Sequence, residues 1–301
     1  MKPRLGLIGL GNMGEPICRH LLEEGYEVLV YDIDREAMAR LDDTVAEPAE
    51  GPRALASAAD VVILSLPNSG VVEEIVFGED GLLEGLLPGR VVIDTSSSKP
   101  SSTRTIARRL AQAGVDMLDA PVSGGVLRAR EGTLAVMVGG KREVFERCSP
   151  ILQAFGGRIF FVGDHGTGHL TKALNNLLSA TTLASAAEAV ILAEKAGLSP
   201  DLFVEVINAS NGRSYSTEVK FPKYILNRSF DDGFATALMS KDLKIALEAA
   251  AEMDFPMLIG SVVVQIWQAS VAQGNGTRNH TEIYAFLENL TGSREAGNRT
   301  P

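Results

Sequence analysis

The sequence predicts an α/β domain with a parallel-rich sheet, followed by an all-helical domain, and three observations carry that prediction. Short apolar runs alternate with amphipathic stretches throughout the first half of the chain. The texture changes near residue 165, at the turn-rich Gly163-Asp164-His165-Gly166-Thr167-Gly168. Beyond it an unbroken helical pattern runs from about His169 to Ala196 and stops at Gly197, and nearly everything that follows also reads as helix.

In the first half, strands are expected at residues 5–10, 27–31, 60–66, 90–95, 115–120, 134–138 and 158–162. Val61-Val62-Ile63-Leu64 and Val91-Val92-Ile93 do not alternate with polar residues, as expected of strands covered on both faces. Amphipathic stretches at 15–24, 35–41, 52–58 and 101–113 lie between them, so the sheet should be wound by right-handed crossovers. In the second half, helices are expected at 200–208, 214–225, 241–253, 256–273 and 281–290. The division is therefore 1–164 for an α/β domain, 165–292 for an all-helical domain, and 293–301 for a frayed polar tail.

Composition narrows the function. Of 301 residues 45% are hydrophobic, enough for a large core, and 28 Lys+Arg against 38 Asp+Glu leave a net charge of −10. So acidic a chain is not expected to bind nucleic acid or an anionic membrane, and an anionic substrate would need a local cationic seat. Cys18 and Cys148 cannot form a disulfide framework, and the four histidines show no zinc-type spacing, so no metal is expected. With no export signal and no run of 18 apolar residues, the expected location is the cytoplasm.

The opening Gly9-Leu10-Gly11-Asn12-Met13-Gly14 is a G-x-G-x-x-G placed directly after a strand and at the mouth of a helix. Its glycines permit a tight turn, close approach of a pyrophosphate and close helix–strand packing. Asp32 ends the second strand, 23 residues after Gly9, where an acid accepts hydrogen bonds from a ribose diol and repels a 2′-phosphate. This favours NAD over NADP, with Arg35 the residue that argues the other way. Leu66-Pro67-Asn68 and Thr95-Ser96-Ser97 follow two more strands and should complete the cofactor cleft.

Further on, Asp119-Ala120-Pro121-Val122-Ser123-Gly124-Gly125 offers a hydroxyl and successive backbone N–H groups, a seat suited to a carboxylate. Lys172 and Asn176 stand four apart on the long helix and so share one face, with Asn175 beside them. A lysine there can take a proton from an alcohol while the asparagine binds the same oxygen. Lys241 opens another helix in Lys241-Asp242-Leu243, and Arg213 is the strong anion donor of the loop Asn208-Ala209-Ser210-Asn211-Gly212-Arg213-Ser214.

Taken in order, these motifs resemble those of the 3-hydroxyisobutyrate (β-hydroxyacid) dehydrogenase family over residues 4–292. The resemblance implies a Rossmann domain joined to a helical domain, with the substrate between them. It also implies Lys172 as the essential acid/base, Ser123, Gly124, Gly125 and Asn176 as substrate-positioning residues, Lys241 on the nicotinamide side, and a homodimer or homotetramer. Related imine reductases lack a lysine at this position, so Lys172 argues for alcohol chemistry, and 6-phosphogluconate dehydrogenases share the lysine but have a much longer helical part. One departure stands near the end, where Gly274-Asn275-Gly276-Thr277-Arg278-Asn279 replaces the usual G-x-G-x-x-D. The expected reaction is NAD-dependent oxidation of the primary hydroxyl of a short, 3-hydroxyisobutyrate-like acid. A 2-(hydroxymethyl)glutarate dehydrogenase, a semialdehyde reductase and, from another class, a redox-silent NAD(H)-binding protein stay open as alternatives.

Overall fold

The computed structural model describes residues 2–292; the tail expected to fray lies outside them. The chain parts into two compact units after Lys172.

The first unit carries nine strands: β1 (Leu5–Ile8), β2 (Val28–Tyr31), β3 (Glu47–Pro48), β4 (Val61–Leu64), β5 (Val91–Asp94), β6 (Asp116–Asp119), β7 (Val122–Ser123), β8 (Leu134–Gly140) and β9 (Gly156–Gly163). The order is β3-β2-β1-β4-β5-β6-β8-β7, with β9 on the other side of β8. From β3 to β6 every pairing is parallel; β8 runs antiparallel to β6 and β7, and parallel to β9. Chain order reverses between β1 and β4, so a crevice is expected at the carboxyl ends of those two strands. The crossover helices are α1 (Gly14–Glu23), α2 (Arg35–Ala39), α3 (Pro52–Ala58), α4 (Ser69–Phe77), α5 (Leu82–Gly85), α6 (Pro100–Gln112), α7 (Gly125–Arg130) and α8 (Arg142–Gln153).

The unbroken apolar runs have a clear cause. Leu5, Leu7, Val61, Ile63, Val91 and Ile93 belong to one buried cluster, whereas Ile8, Val62, Leu64 and Val92 belong to another. Successive side chains of a strand point to opposite faces, and both faces are covered by helices.

The long helix α9 (Thr167–Lys195) ends in a Schellman turn: Gly197 has φ +87° and the Leu198 N–H reaches the Ala193 carbonyl at 3.0 Å. By length and composition it is apolar enough to cross a membrane, with mean hydropathy 1.4 over 18 residues. Its residues Ala173, Leu177, Ala180, Leu183, Ala187, Val190 and Ile191 form the spine of the second unit's core. Helices α10 (Pro200–Asn208), α11 (Thr236–Glu252), α12 (Leu258–Ser270) and α13 (Ile283–Leu290) complete that unit.

Two expected α-helices differ. Residues 214–225 form a π-helix, Ser216–Ile225, in which the Leu226 N–H bonds back five residues to Phe221 O at 2.9 Å. Pro222 lies inside it; proline lacks an N–H and its ring collides with the carbonyl four residues back, so the wider turn accommodates it. The expected helix 256–273 breaks into α12 and a π turn, Val271–Asn275, where Gly274 has φ +89°.

Candidate active site

At the first βα turn, Gly9 has φ +95°, a backbone region that L side chains rarely adopt. A Cβ there would be driven into the Ser65 carbonyl, and one at Gly14 into the Gly9 carbonyl. At Gly11 a Cβ would meet nothing within 4 Å. Two glycines therefore let the turn close on itself and on the end of β4, and the middle one leaves its backbone bare toward open space. Just beyond, α1 begins at Gly14, and the positive end of its dipole favours an anion, although the Glu15 N–H is taken by the Gly11 carbonyl at 3.1 Å and Pro16 has none.

Asp32 is part of this turn as well as its neighbour. Its Oδ2 accepts the Leu10 N–H at 2.6 Å and its Oδ1 the Asp34 N–H at 2.9 Å. Arg40, which sequence reasoning missed, donates to the Leu10 carbonyl at 2.7 Å. A cavity of about 720 Å³ opens beside them, lined by Tyr31, Asp32, Ile33, Arg35 and Met38 among others. These features fit a dinucleotide: glycine backbone for its phosphates, and a carboxylate at the end of β2 for its ribose.

The loops after β4 and β5 are fastened to each other. Ser96 Oγ accepts the Leu66 N–H at 2.9 Å, and the Thr95 hydroxyl donates to the Leu64 carbonyl at 2.7 Å. Asn68 caps α4 by accepting the Val71 N–H at 3.1 Å. Thr95, Ser96 and Asn68 thus shape these loops with their side chains, while Pro67 and Ser97 occupy the same two turns. In the next loop Ser123 ends β7, and Gly124 and Gly125 follow at φ +136° and +70°. A Cβ on Gly125 would point into open space, whereas one on Gly124 would run into the Arg128 side chain.

The start of α9 is bolted to the sheet by groups absent from the expected site. The buried Asp119 carboxylate, at the end of β6, accepts the Gly166 N–H at 2.8 Å and the His169 N–H at 3.1 Å, capping the helix from another element. The buried His169 ring donates from Nε2 to the Ser96 carbonyl at 3.0 Å, and its Nδ1 lies 2.7 Å from the Thr103 hydroxyl. Asp94, also buried, accepts from Ser96 N–H and the Ser98 hydroxyl, both at 3.0 Å, and stands 3.7 Å from His169 Nε2. A Cβ on Gly168 would enter the Met137 carbonyl, so this glycine lets the helix come so close. Lys172 follows His169 by three residues, on the turn this anchor holds, and is half-buried.

In the second unit, Asn176 is buried and donates from Nδ2 to Asp242 Oδ2 at 2.6 Å, while its Oδ1 accepts from Asn175 at 3.2 Å. The Asp242 carboxylate also pairs with Lys241 at 3.1 Å. The amide is therefore oriented, with a second hydrogen on Nδ2 for another acceptor. Arg213 lies exposed in the turn before the π-helix.

A doubly wound sheet whose glycine turn and strand-end acid are shaped for a dinucleotide, in a chain that also holds a half-buried lysine on an anchored helix turn, defines an NAD-binding oxidoreductase. Residues 4–163 match the family model described as the NAD binding domain of 6-phosphogluconate dehydrogenase. Residues 166–287 match that described as NAD-binding of NADP-dependent 3-hydroxyisobutyrate dehydrogenase. The chain is 40% identical to 2-(hydroxymethyl)glutarate dehydrogenase of Eubacterium barkeri, over 98% of each chain. It is 33% identical to mitochondrial 3-hydroxyisobutyrate dehydrogenase of Mus musculus, over 95% of this chain and 87% of that one. A solved 3-hydroxyisobutyrate dehydrogenase of Mycobacterium tuberculosis superposes with a TM-score of 0.90 at 31% identity, over 95% of this chain and 99% of that one. The protein belongs to the 3-hydroxyisobutyrate (β-hydroxyacid) dehydrogenase family, whose members named here are dehydrogenases of hydroxy acids.

Proposed function

We propose that the chain oxidises the primary hydroxyl of a short 3-hydroxy carboxylate, reversibly, with Lys172 as general acid/base. NAD, when bound, supplies the hydride acceptor. Lys172 takes the hydroxyl proton as the alcohol is oxidised and returns it when the aldehyde is reduced. Asn176 holds the same oxygen through its second amide hydrogen, with Asp242 keeping the amide turned. Ser123 and the backbone N–H groups of Gly124 and Gly125 receive the carboxylate, assisted by Arg213 and Asn175, and Lys241 serves the nicotinamide side. Gly9, Leu10, Gly11, Asn12, Met13, Gly14 and Asp32 hold the rest of the cofactor, as do the loops at 66–68 and 95–97. On this reading residues 1–164 serve the cofactor and 165–292 the substrate.

The observation that carries the reading is the anchoring of the first turn of α9 by Asp119 and His169, which gives Lys172 a fixed base. General-base removal costs about 10²–10⁴ in rate. Lys172→Ala should therefore lose at least about 100-fold in kcat with NADH affinity kept. A variant that retains most of its kcat ends the assignment.

The working state we propose is a homodimer or homotetramer in the cytoplasm. Leu174 and Leu178 on α9 and Leu258, Ile259 and Val262 on α12 are exposed, and a Cβ on Gly260 of α12 would touch Leu177. Contiguous exposed apolar surface of this kind marks an association face. Both thiols are unpaired and buried, in keeping with a reducing compartment.

A further inference from the structure

The helical unit holds a buried cation that the mechanism above does not use. The π-helix Ser216–Ile225 lies along α9, with the Ser216 hydroxyl 3.2 Å from that of Thr182 and Lys220 Nζ donating to Ser179 Oγ at 3.2 Å. The two pairings descend α9 as they ascend the π-helix, so the segments run antiparallel and Lys220 lies toward the Asn176 end. Ser179 follows Asn176 by three residues, a rise of about 4.5 Å.

Lys220 is 5% exposed, and its ammonium also donates to His280 Nε2 at 2.9 Å. The tautomer is set by the other ring nitrogen: His280 Nδ1 donates to the Phe234 carbonyl at 3.1 Å, so Nε2 is an acceptor. The imidazole is neutral, because burial first and then Lys220 push its pKa down to about 3. Asp232 Oδ2 stands 3.4 Å from His280 Nε2, and Lys223 also acts on this carboxylate. Burial nevertheless raises the pKa of Asp232, outweighing both lysines. Asp231, the neighbouring acid, takes the Ser229 hydroxyl at 2.6 Å. Aromatic groups surround the cluster: Trp267 stacks on His280 with ring centroids 6.3 Å apart, and Phe234 meets it edge-on. Taking an ammonium out of water is costly, and Asp232, on which Lys220 acts, offsets part of that cost; such buried charged clusters are common at functional sites.

We propose that Lys220 is a specificity-determining residue whose ammonium receives a second carboxylate of the substrate, so that dicarboxylic 3-hydroxy acids are the preferred class. The inference rests on the reading that Asn176 binds the reacting oxygen. In a glutarate skeleton bearing a hydroxymethyl group, four C–C bonds separate the carbinol carbon from the distal carboxyl carbon, about 5 Å. That matches the one-turn offset from Asn176 to Ser179, where Lys220 lies. A monocarboxylate such as 3-hydroxyisobutyrate has nothing to place there.

The chain's single tryptophan, Trp267, provides a readout independent of turnover. Glutarate added to the NADH-saturated enzyme should change Trp267 emission saturably in the wild type and in Lys172→Ala, and not in Lys220→Met. In steady-state assays the wild type should prefer 2-(hydroxymethyl)glutarate to 3-hydroxyisobutyrate. Lys220→Met should reduce kcat/KM for the diacid about 100-fold more than for the monoacid, mainly through KM, the loss expected of a charge-assisted hydrogen bond. Lys220→Arg, which keeps the charge, should recover part of the preference and decides the matter if the methionine variant does not fold. Equal losses on both acids, or a wild type that turns them over alike, would overturn the inference and leave the dehydrogenase reading standing. A wild type that binds glutarate at Trp267 but oxidises neither acid would instead refute the dehydrogenase reading.

Discussion

Asp119→Asn tests how firmly the first turn of α9 is seated. The carboxylate is fully buried and accepts two backbone donors of the first turn of α9, from Gly166 at 2.8 Å and His169 at 3.1 Å. Asparagine offers one oxygen, so it keeps one of these bonds and turns an NH₂ group toward the other N–H. Hydrogen bonds to charged acceptors are worth about 1.5–3 kcal/mol, and a stranded buried donor costs about 1–3 kcal/mol. Neutralising a buried carboxylate returns part of its desolvation cost, which offsets some of that loss. The net expectation is about 2–4 kcal/mol of destabilisation. For a unit of 172 residues this is a fall in Tm of about 5–15 °C. Because Lys172, the proposed general base, stands three residues beyond His169, kcat should also fall, by about 10- to 100-fold, as its ammonium drifts from its position. Thermal unfolding followed by circular dichroism, together with kcat under saturating NAD and hydroxy acid, measures both. A variant melting within about 1 °C of the wild type with kcat intact refutes the idea that this carboxylate seats the helix.

Gly14→Ala places a methyl group in the Gly9 carbonyl, so NADH affinity, read by fluorescence titration, should fall by more than about tenfold, whereas Gly11→Ala should leave the turn folded and weaken only the ligand. His280 titrates near pH 3 in the folded chain against about 6.5 when unfolded, so between these values only the unfolded state takes up the proton. Its contribution is complete above about pH 6.5 and is lost as the pH falls toward 3, by up to about 1.4 kcal/mol per unit, and His280→Phe should flatten that part of a plot of Tm against pH. Burial pushes the Cys18 thiol up to about 12 and the Cys148 thiol up to about 11, so neither should react with a thiol reagent at pH 8 until the chain unfolds. Rapid labelling of the native protein would contradict that burial.

What could be read from the residues, and what could not, divides along physical lines. Val61-Val62-Ile63-Leu64 announces a covered strand because both of its faces are apolar, and β4 is there. β3 and β7 escaped notice because two residues have no periodicity to detect. Helix α11 begins at Thr236, five residues ahead of Lys241, since its first N–H is taken by the Arg278 carbonyl at 2.8 Å from a distant part of the chain. The glycine turn was legible because Gly9, Gly11, Gly14 and Asp32 stand at fixed spacing along the sequence. Asp119 and His169 were not, because their roles depend on partners 47 to 73 residues away, and no local pattern reports such a pairing.

The two borders of the sheet carry a last consequence. On one side the final strand is only two residues long and ends in Pro48, which offers no donor to an incoming backbone. On the other, β9 opens with two glycines, Gly156 and Gly157, and then the exposed Arg158. An approaching strand from a second molecule finds a missing N–H at the β3 border and, at the start of β9, a charge that must be desolvated. Any cross-β signal that thioflavin fluorescence detects in concentrated or partly refolded samples should accordingly arise from the apolar residues 159–162 of β9 and fall in Phe160→Lys, since the β3 margin is poorly suited to templating growth.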